Sequence, residues 1–348
     1  MTGPVLTPAE VTRAGAPRTP DGTFRNPWPG SEPHGLRDIF RWMRERRTQR
    51  IALTPPRGTF PSDSPAIAYP RAQDTGFTAT WIGHSTVLLQ LGGLNILTDP
   101  VFSQRAFPVQ WIGPRRVMEP GVALEALPPI DMVVLSHNHY DHLDRPAVRH
   151  IARAHSKATW IVPLGVGAYL RGWGVKDITE LDWWQHTEIK GLQVTATPAR
   201  HFSGRTPWDR NKSLWCGYAL VRNGRRALFV GDTAFHPAFR DIGEQCGPFD
   251  LVMMPIGAYD PRWFMGIVHM DPHQAVEAYR CLVASHPDQP LPLMLGIHWG
   301  TFRLTDEAMN EPPIQTVAEW GAAGLAEDRL WIARFGETRV LSPGDEDR

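Results

Sequence analysis

The chain has 348 residues, 42% of them hydrophobic and 21% charged, with a formal net charge of zero. That length supports one large domain or two small ones around a sizeable core, and the composition excludes wholesale disorder. A neutral chain has no global attraction to polyphosphate, so nucleic acid is not an expected partner.

In chain order, the opening MTGPVLTPAE lacks the basic and apolar regions of a secretory leader. Residues 1–36 are rich in Pro, Gly, Thr and Arg and read as an extended arm. The spacing of Ile39, Phe40, Trp42 and Met43 predicts a short amphipathic helix over 37–47 with arginines on its other faces. Residues 54–76 return to Pro-rich loop, so 1–76 reads as an N-terminal arm and helix ahead of a domain spanning 77–340. From Phe77 the texture changes to short apolar runs ending in Gly, Asp or His. These predict strands at 77–82, 86–91, 94–98, 132–136, 159–162, 192–197, 215–221, 226–231, 251–255 and 293–297. Asp144 with Pro146, and Asp271 with Pro272, predict helices over 145–155 and 272–285. Mixed strands and helices without an internal repeat indicate a layered α/β class.

Cys216, Cys246 and Cys281 have neither zinc-knuckle nor redox-pair spacing, and a sparse, odd count suits a reducing, cytoplasmic setting. No stretch reaches the roughly 20 apolar residues of a bilayer span. Membrane contact is therefore expected only at the periphery, on the inner face. The chain's 33 prolines imply many rigid turns, and its 14 tryptophans imply a bulky core, an apolar pocket, or both.

The most informative segment is DMVVLSHNHYDHLD, residues 131–144, where an apolar strand delivers His137, His139, Asp141 and His142 to one loop. Imidazoles and carboxylates are the usual ligands of zinc-like metals, and four within six residues on an irregular loop suit two metals. Burying them so close together is costly without a counter-charge. Three more predicted strands end in the same residue types: LQVTATPAR at His201, ALFVG at Asp232 and LMLGI at His298. Strand ends are where loops gather functional groups. Each of these residues alone reads as a hydrogen-bonded structural group; together they form the pattern a metal centre requires.

Beyond this motif, the strings FRNPWP, WIGHSTVLLQ, LTDPVFSQRA, ELDWWQ, NKSLW, GPFDL, PIGAYDPRWFM and IHWGTF occur in order from about Phe24 to about Glu337. The chain resembles the metallo-β-lactamase superfamily, and within it the family of phospholipases D that hydrolyse N-acylphosphatidylethanolamine. The resemblance implies an αββα sandwich with metals at one edge of the sheets. His137, His139 and His201 would hold one zinc, Asp141, His142 and His298 a second, and Asp232 would bridge them; iron or manganese would suit the same ligands. It also implies a homodimer with an apolar cavity for acyl chains. Phe202 stands where the family usually has Trp.

On that footing Asp141 and Asp232 are candidate catalytic groups, Asp232 orienting a water activated by the two metals. His269, in WFMGIVHMDP, matches a family histidine near substrate, placed to protonate the leaving group or hold a phosphate oxygen. Tyr140, His269 and Trp299 are candidate substrate contacts. Tyr140, Phe202, Trp299 and Phe302, with Tyr259, Trp263, Phe264 and Met265, read either as a lipid pocket or as core. Asp99 reads as a support for a ligand histidine or as a turn residue before Pro100. His84 reads as structural, and His186 and His236 carry no specific signal. The resemblance implies cleavage of a lipid phosphodiester to an N-acylethanolamine and phosphatidic acid. A lactonase or β-lactam hydrolase on the same scaffold, or a metal-loaded binding protein without turnover, are the alternatives. The arginines of the 37–47 helix are expected to face lipid, with solvent or a subunit contact as the other outcome.

Overall fold

The computed structural model describes residues 15–31, 34–48 and 51–341. The leader reading of the first ten residues thus lies outside the described part of the chain. The apolar runs after Phe77 form two seven-stranded sheets. The first orders β14 (Thr338–Val340), β1 (Phe77–Gly83), β2 (Thr86–Leu91), β3 (Leu94–Thr98), β4 (Met132–Val134), β5 (Thr159–Pro163) and β6 (Ile178–Leu181). The second orders β13 (Leu330–Trp331), β12 (Leu293–Ile297), β11 (Leu251–Pro255), β10 (Arg225–Phe229), β9 (Gly217–Arg222), β8 (Leu192–Thr197) and β7 (His186–Ile189).

Period-two side-chain alternation explains why the sheets stack. In β2, Val87, Leu89 and Leu91 face the inter-sheet core while Leu88 faces the opposite side; Met132 and Val134 of β4 split from Val133 in the same way. The core between the sheets joins these residues to Val194, Tyr218, Leu220, Phe229 and Met253 of the second sheet. Seven α-helices are described: α1 (Leu36–Thr48), α2 (Arg145–Ala154), α3 (Gly167–Gly172), α4 (Ala238–Cys246), α5 (Arg262–Met265), α6 (Pro272–Val283) and α7 (Glu311–Ala322). Val148 and Ile151 of α2 and Leu170 of α3 cover the outer face of the first sheet. Phe239 and Ile242 of α4, Tyr279 and Leu282 of α6 and Trp320 of α7 pack with the second. The result is the expected αββα sandwich. No helix among the described residues is long and apolar enough to cross a membrane.

Local differences from the sequence reading have physical reasons. Asp144 does not cap α2: its carboxylate accepts from the backbone N–H groups of Phe102 and Ser103 and the Ser103 hydroxyl, tying loop 102–116 to the ligand loop. Asp271 does cap α6, accepting from Gln274 N at 2.9 Å. The predicted strand 132–136 stops at Val134 because Ser136 N donates to Asp99 Oδ1 rather than to a ladder. Helix α4 hides Gly243 in its interior, where a Cβ would meet Leu282 O of α6 at 2.1 Å. Cys216, Cys246 and Cys281 are all free thiols.

Helix α1 extends one residue beyond its prediction at each end. Trp42 donates from Nε1 to Asp306 at 2.6 Å and stacks on Phe264 at 4.9 Å. Arg46 pairs with Asp306 at 2.8 Å, and Glu45 accepts from Trp263 Nε1 at 3.0 Å. One face of α1 is thus docked on the hydrolase body, while Phe40 and Met43 remain exposed.

Candidate metal centre

Strand direction decides where the ligands meet. Strands β1 and β3 each pair antiparallel with β2, and β4 pairs parallel with β3, so the C-terminal ends of β1, β3 and β4 share one edge. In the second sheet β8 and β10 are both antiparallel to β9, and β10, β11 and β12 are parallel. Their C-terminal ends share an edge too. His84, Asp99 and the 137–142 loop follow β1, β3 and β4; His201, Asp232 and His298 follow β8, β10 and β12. His84, Asp99 and His298 have φ of +54°, +27° and +62°, left-handed values that non-glycine residues adopt at a cost and that cluster at functional sites.

All seven sequence-predicted ligands converge. His142 Nε2 lies 3.1 Å and His298 Nε2 3.0 Å from Asp232 Oδ2, with His201 Nε2 at 3.9 Å and His137 Nε2 at 4.0 Å. One carboxylate oxygen therefore stands between histidines of both expected sets. Asp141 Oδ2 lies 3.3 Å from His142 Nε2 and 3.5 Å from His298 Nε2. His139 Nδ1 is 2.8 Å from His137 Nε2 and 3.2 Å from His201 Nε2.

Tautomers show whether a metal fits. The Ser136 hydroxyl donates to Asp99, so His137 Nδ1–H donates to Ser136 Oγ at 2.8 Å and leaves Nε2 bare. His201 Nδ1–H donates to Val268 O at 2.9 Å, and His142 Nδ1–H to Asp99 Oδ2 at 2.7 Å, leaving their Nε2 atoms bare as well. Bare imidazole nitrogens thus face one another and face carboxylates inside a buried site. Such an arrangement needs a cation between the partners, and the donor set is that of zinc-class metals. His142 Nε2, His298 Nε2 and Asp232 Oδ1 have no hydrogen-bond partner, as expected of atoms reserved for metal.

Electrostatics agree. Burial holds His139 near 3 and His201 near 4, and His137 well below the usual histidine range, so all three are neutral imidazoles, as metal ligands would be. Burial opposes charge on His142 and His298, yet Asp232 and Asp141 hold His142 well above its usual value and His298 at about 9. Burial likewise opposes charge on Asp232 and Asp141, and the surrounding histidines outweigh it and keep both ionised. Two ionised carboxylates thus favour positive charge at His142 and His298, where a bound cation would take the place of a proton on Nε2.

Two supporting residues complete the centre. Asp99 is a ligand support, holding His142 and Ser136 together. His84, read from sequence as merely structural, lies with Nε2 3.0 Å from Asp141 Oδ2 and its ring 4.1 Å from that of His298; its carbonyl accepts from His298 N. It orients Asp141. The local signal is its place at the end of β1, among strands that all end on this site.

The centre opens into a cavity of about 580 Å³. His139, Asp141, His201, Asp232 and His269 line its polar part; Trp28, Ile39, Trp42, Phe202, Phe264, Met265, Ile267, Val268 and Leu304 supply apolar wall. His269 stands in the cavity wall, its ring 5.0 Å from that of His201, and its Nδ1 has no partner. Tyr140 also lines the cavity, its hydroxyl donating to Arg205 O at 3.1 Å. The expectation for Trp299 is corrected: it is 7% exposed, stacks on Trp81, meets Phe60 edge-on, and lies outside this cavity. Phe302 packs against His84 and Arg116, and Tyr259 bonds Glu311. The N-terminal arm was not foreseen as cavity wall. Asn26 Nδ2 donates to His201 O at 2.8 Å, and Trp28 stacks on buried His236 at 4.4 Å. His186 lies exposed on β7, away from the site.

Comparison with known proteins agrees with this geometry. Residues 94–299 match the family model of the β-lactamase superfamily domain. An uncharacterised protein of Mycobacterium tuberculosis is 42% identical over 85% of this chain and 78% of its own length. The N-acyl-phosphatidylethanolamine-hydrolysing phospholipase D 1 of Caenorhabditis elegans is 41% identical over 69% of this chain and 68% of its own. Among solved structures, a metallo-hydrolase of the archaeon Ignicoccus hospitalis superposes with a TM-score of 0.57 at 22% identity, covering 76% of this chain and 98% of the other, which shows the shared fold. The chain therefore belongs to the β-lactamase superfamily, in the branch that includes the N-acyl-phosphatidylethanolamine-hydrolysing phospholipases D, and is a metal-dependent hydrolase.

Proposed function

We propose that the protein is a dinuclear zinc phosphodiesterase that cleaves N-acylphosphatidylethanolamine or a closely related lipid phosphodiester, releasing an N-acylethanolamine and phosphatidic acid. The observation that carries this reading is the union of two ligand sets sharing Asp232 with a cavity that is polar at the ligands and aromatic along its walls. A volume of about 580 Å³ suits a phosphate headgroup with part of an acyl chain. The identity to the worm phospholipase D supports the same substrate class.

Two bound metals supply Lewis acidity toward a phosphoryl oxygen and bring the proton affinity of water into the neutral range. The protein's own groups do the rest. Asp232 orients the attacking water between the two ligand sets. Asp99 and Ser136 fix the tautomers of His142 and His137, and His84 holds Asp141. Water adds its oxygen to phosphorus, the bond from phosphorus to the ethanolamine oxygen breaks, and a proton passes to that leaving oxygen. Burial keeps His269 neutral, so its unpartnered ring suits it to hydrogen-bond a phosphoryl or leaving oxygen rather than to act as a cation. The apolar walls exclude bulk water and hold the acyl chain.

The test is a side-by-side assay of an N-acylphosphatidylethanolamine, bis-p-nitrophenyl phosphate, nitrocefin and a sugar lactone. The two phosphodiesters are expected to be hydrolysed and the other two to be poor substrates; faster turnover of nitrocefin or lactone would overturn the reading.

A further inference from the structure

A second, larger cavity lies on the other side of Tyr140 from the metal centre. It has a volume of about 1130 Å³ and is bounded by α2, loop 102–116 and the start of loop 203–212. Five arginines line it, Arg105, Arg145, Arg149, Arg153 and Arg205, against one carboxylate, Asp144. That carboxylate is already committed to Phe102 and Ser103.

The helix contributes the distinctive part. Arg145, Arg149 and Arg153 stand at i, i+4 and i+8, one stripe along α2. No carboxylate among the described residues lies within ion-pair distance of any of the three. Like charges at this spacing destabilise a helix, so the stripe is a standing cost unless an anion meets it. Arg145 also sits at the helix's positive end, where anions are favoured and cations are not. Opposite the stripe, Arg205 is held over the rings of Tyr140 at 3.8 Å and Trp173 at 5.4 Å.

The rim adds a second observation. Loop 102–116 exposes Phe107, Trp111 (77% exposed) and Ile112, and loop 203–212 exposes Trp208 (79% exposed). Each exposed tryptophan lies within two residues of a cavity-lining residue, Gln110 or Thr206. Isolated tryptophans raised beside clustered arginines match the headgroup zone of a bilayer, where the ring lies at the interface and cations meet lipid phosphates.

We propose that this cavity is a non-catalytic docking site for anionic phospholipid, with the Arg145–Arg149–Arg153 stripe binding headgroup phosphates and Trp111 and Trp208 inserted at the interface. A second copy of this chain is the poorer occupant, since a two-fold contact near the stripe would set like charge against like. The membrane contact is thus assigned to α2 and these two loops, not to the arginines of α1, of which Arg41 is paired with Glu45 and Arg46 with Asp306. The choice of a bilayer as partner rests on the lipid phosphodiesterase reading, but the site's chemistry does not involve the metals.

The test is sedimentation of the metal-loaded full chain with vesicles of phosphatidylcholine alone or containing 30% phosphatidylglycerol, in low salt. The wild type is expected to bind the anionic vesicles selectively. R145Q/R149Q/R153Q is expected to bind them roughly 100-fold more weakly, since each lost arginine removes about a fivefold share of affinity. Arg149→Gln alone is expected to lose about fivefold while melting no lower than wild type, because it relieves repulsion; this variant keeps the test valid if the triple one folds poorly. The control R44E/R47E on α1 is expected to bind nearly as well as wild type. Hydrolysis of bis-p-nitrophenyl phosphate, measured on the same samples, is expected to be unchanged; it reports the metal centre separately, so failure of the phosphodiesterase reading leaves the vesicle result standing. Equal binding by wild type and triple variant, equal binding to both vesicle types, or loss of binding in the α1 variant alone would overturn the proposal. So would displacement by millimolar inorganic phosphate at constant ionic strength, which would make the cavity a soluble-phosphate site.

Discussion

The floor and the roof of the metal cavity are built by different means. The floor is a set of strand ends, buried within two sheets, in which His137, Asp141, His142 and His201 are each fixed by a second residue. The roof is the N-terminal arm and α1, lying on the body through a few polar anchors and ring contacts: Asn26 to His201 O, Trp28 to His236, Trp42 and Arg46 to Asp306. The floor has one geometry and supplies the chemistry. The roof shapes the volume above it and can vary without disturbing the ligands. A change in the floor should therefore cost turnover on every substrate, whereas a change in the roof should cost only substrates long enough to reach it.

The largest effect expected is in the floor. Asp232→Asn should lower turnover of lipid and of bis-p-nitrophenyl phosphate alike by on the order of 10³-fold, the value of several kcal/mol of charge stabilisation, while far-ultraviolet dichroism stays native. A loss confined to the lipid substrate would break the comparison.

The supports beneath the ligands come next. Asp99→Asn and His84→Gln should each weaken metal affinity or turnover by about 10- to 100-fold, as changes to partners of metal ligands do. Competition with a chelator reads the affinity directly. A variant that keeps wild-type metal affinity and turnover would show that its residue is only a buried turn residue.

The smallest effect is in the roof. Trp42→Ala removes a hydrogen bond and an aromatic stack at the edge of the cavity. It should cost about 1–2 kcal/mol of stability and raise KM for a long-chain lipid several-fold, with bis-p-nitrophenyl phosphate unaffected. Equal damage to both substrates would place α1 in the chemistry and collapse the distinction between the two regions.

The same division explains what the sequence made legible. The floor is written locally: each ligand follows its own apolar strand, and His137, His139, Asp141 and His142 lie together in one loop. Strands whose two faces are both covered, such as β4 and β11, stand out as unbroken apolar runs. The edge strands β6 and β7, ITEL and HTEI, carry charges and too few apolar residues to show a period. Helices α4 and α7 were hidden by Gly243 and by Pro312 and Pro313, residues that argue against helix until a close approach to α6 or a first-turn position accounts for them. The roof depends on contacts between residues more than 150 apart, such as Asn26 with His201 and Trp42 with Asp306, and nothing local announces them. Trp299 was misread for a related reason. It directly follows a ligand, but alternation at a strand end sends its ring into the core beside Trp81 while His298 faces the site.

The central claim is that seven side chains from four places in the chain hold two metals across Asp232. Crystals of the purified protein, with diffraction collected above and below the zinc absorption edge, test it most directly. The account predicts two anomalous peaks about 3.5–4 Å apart, one beside His137, His139 and His201, the other beside Asp141, His142 and His298, with Asp232 touching both. A single peak, or two peaks with Asp232 turned away from either, would contradict it.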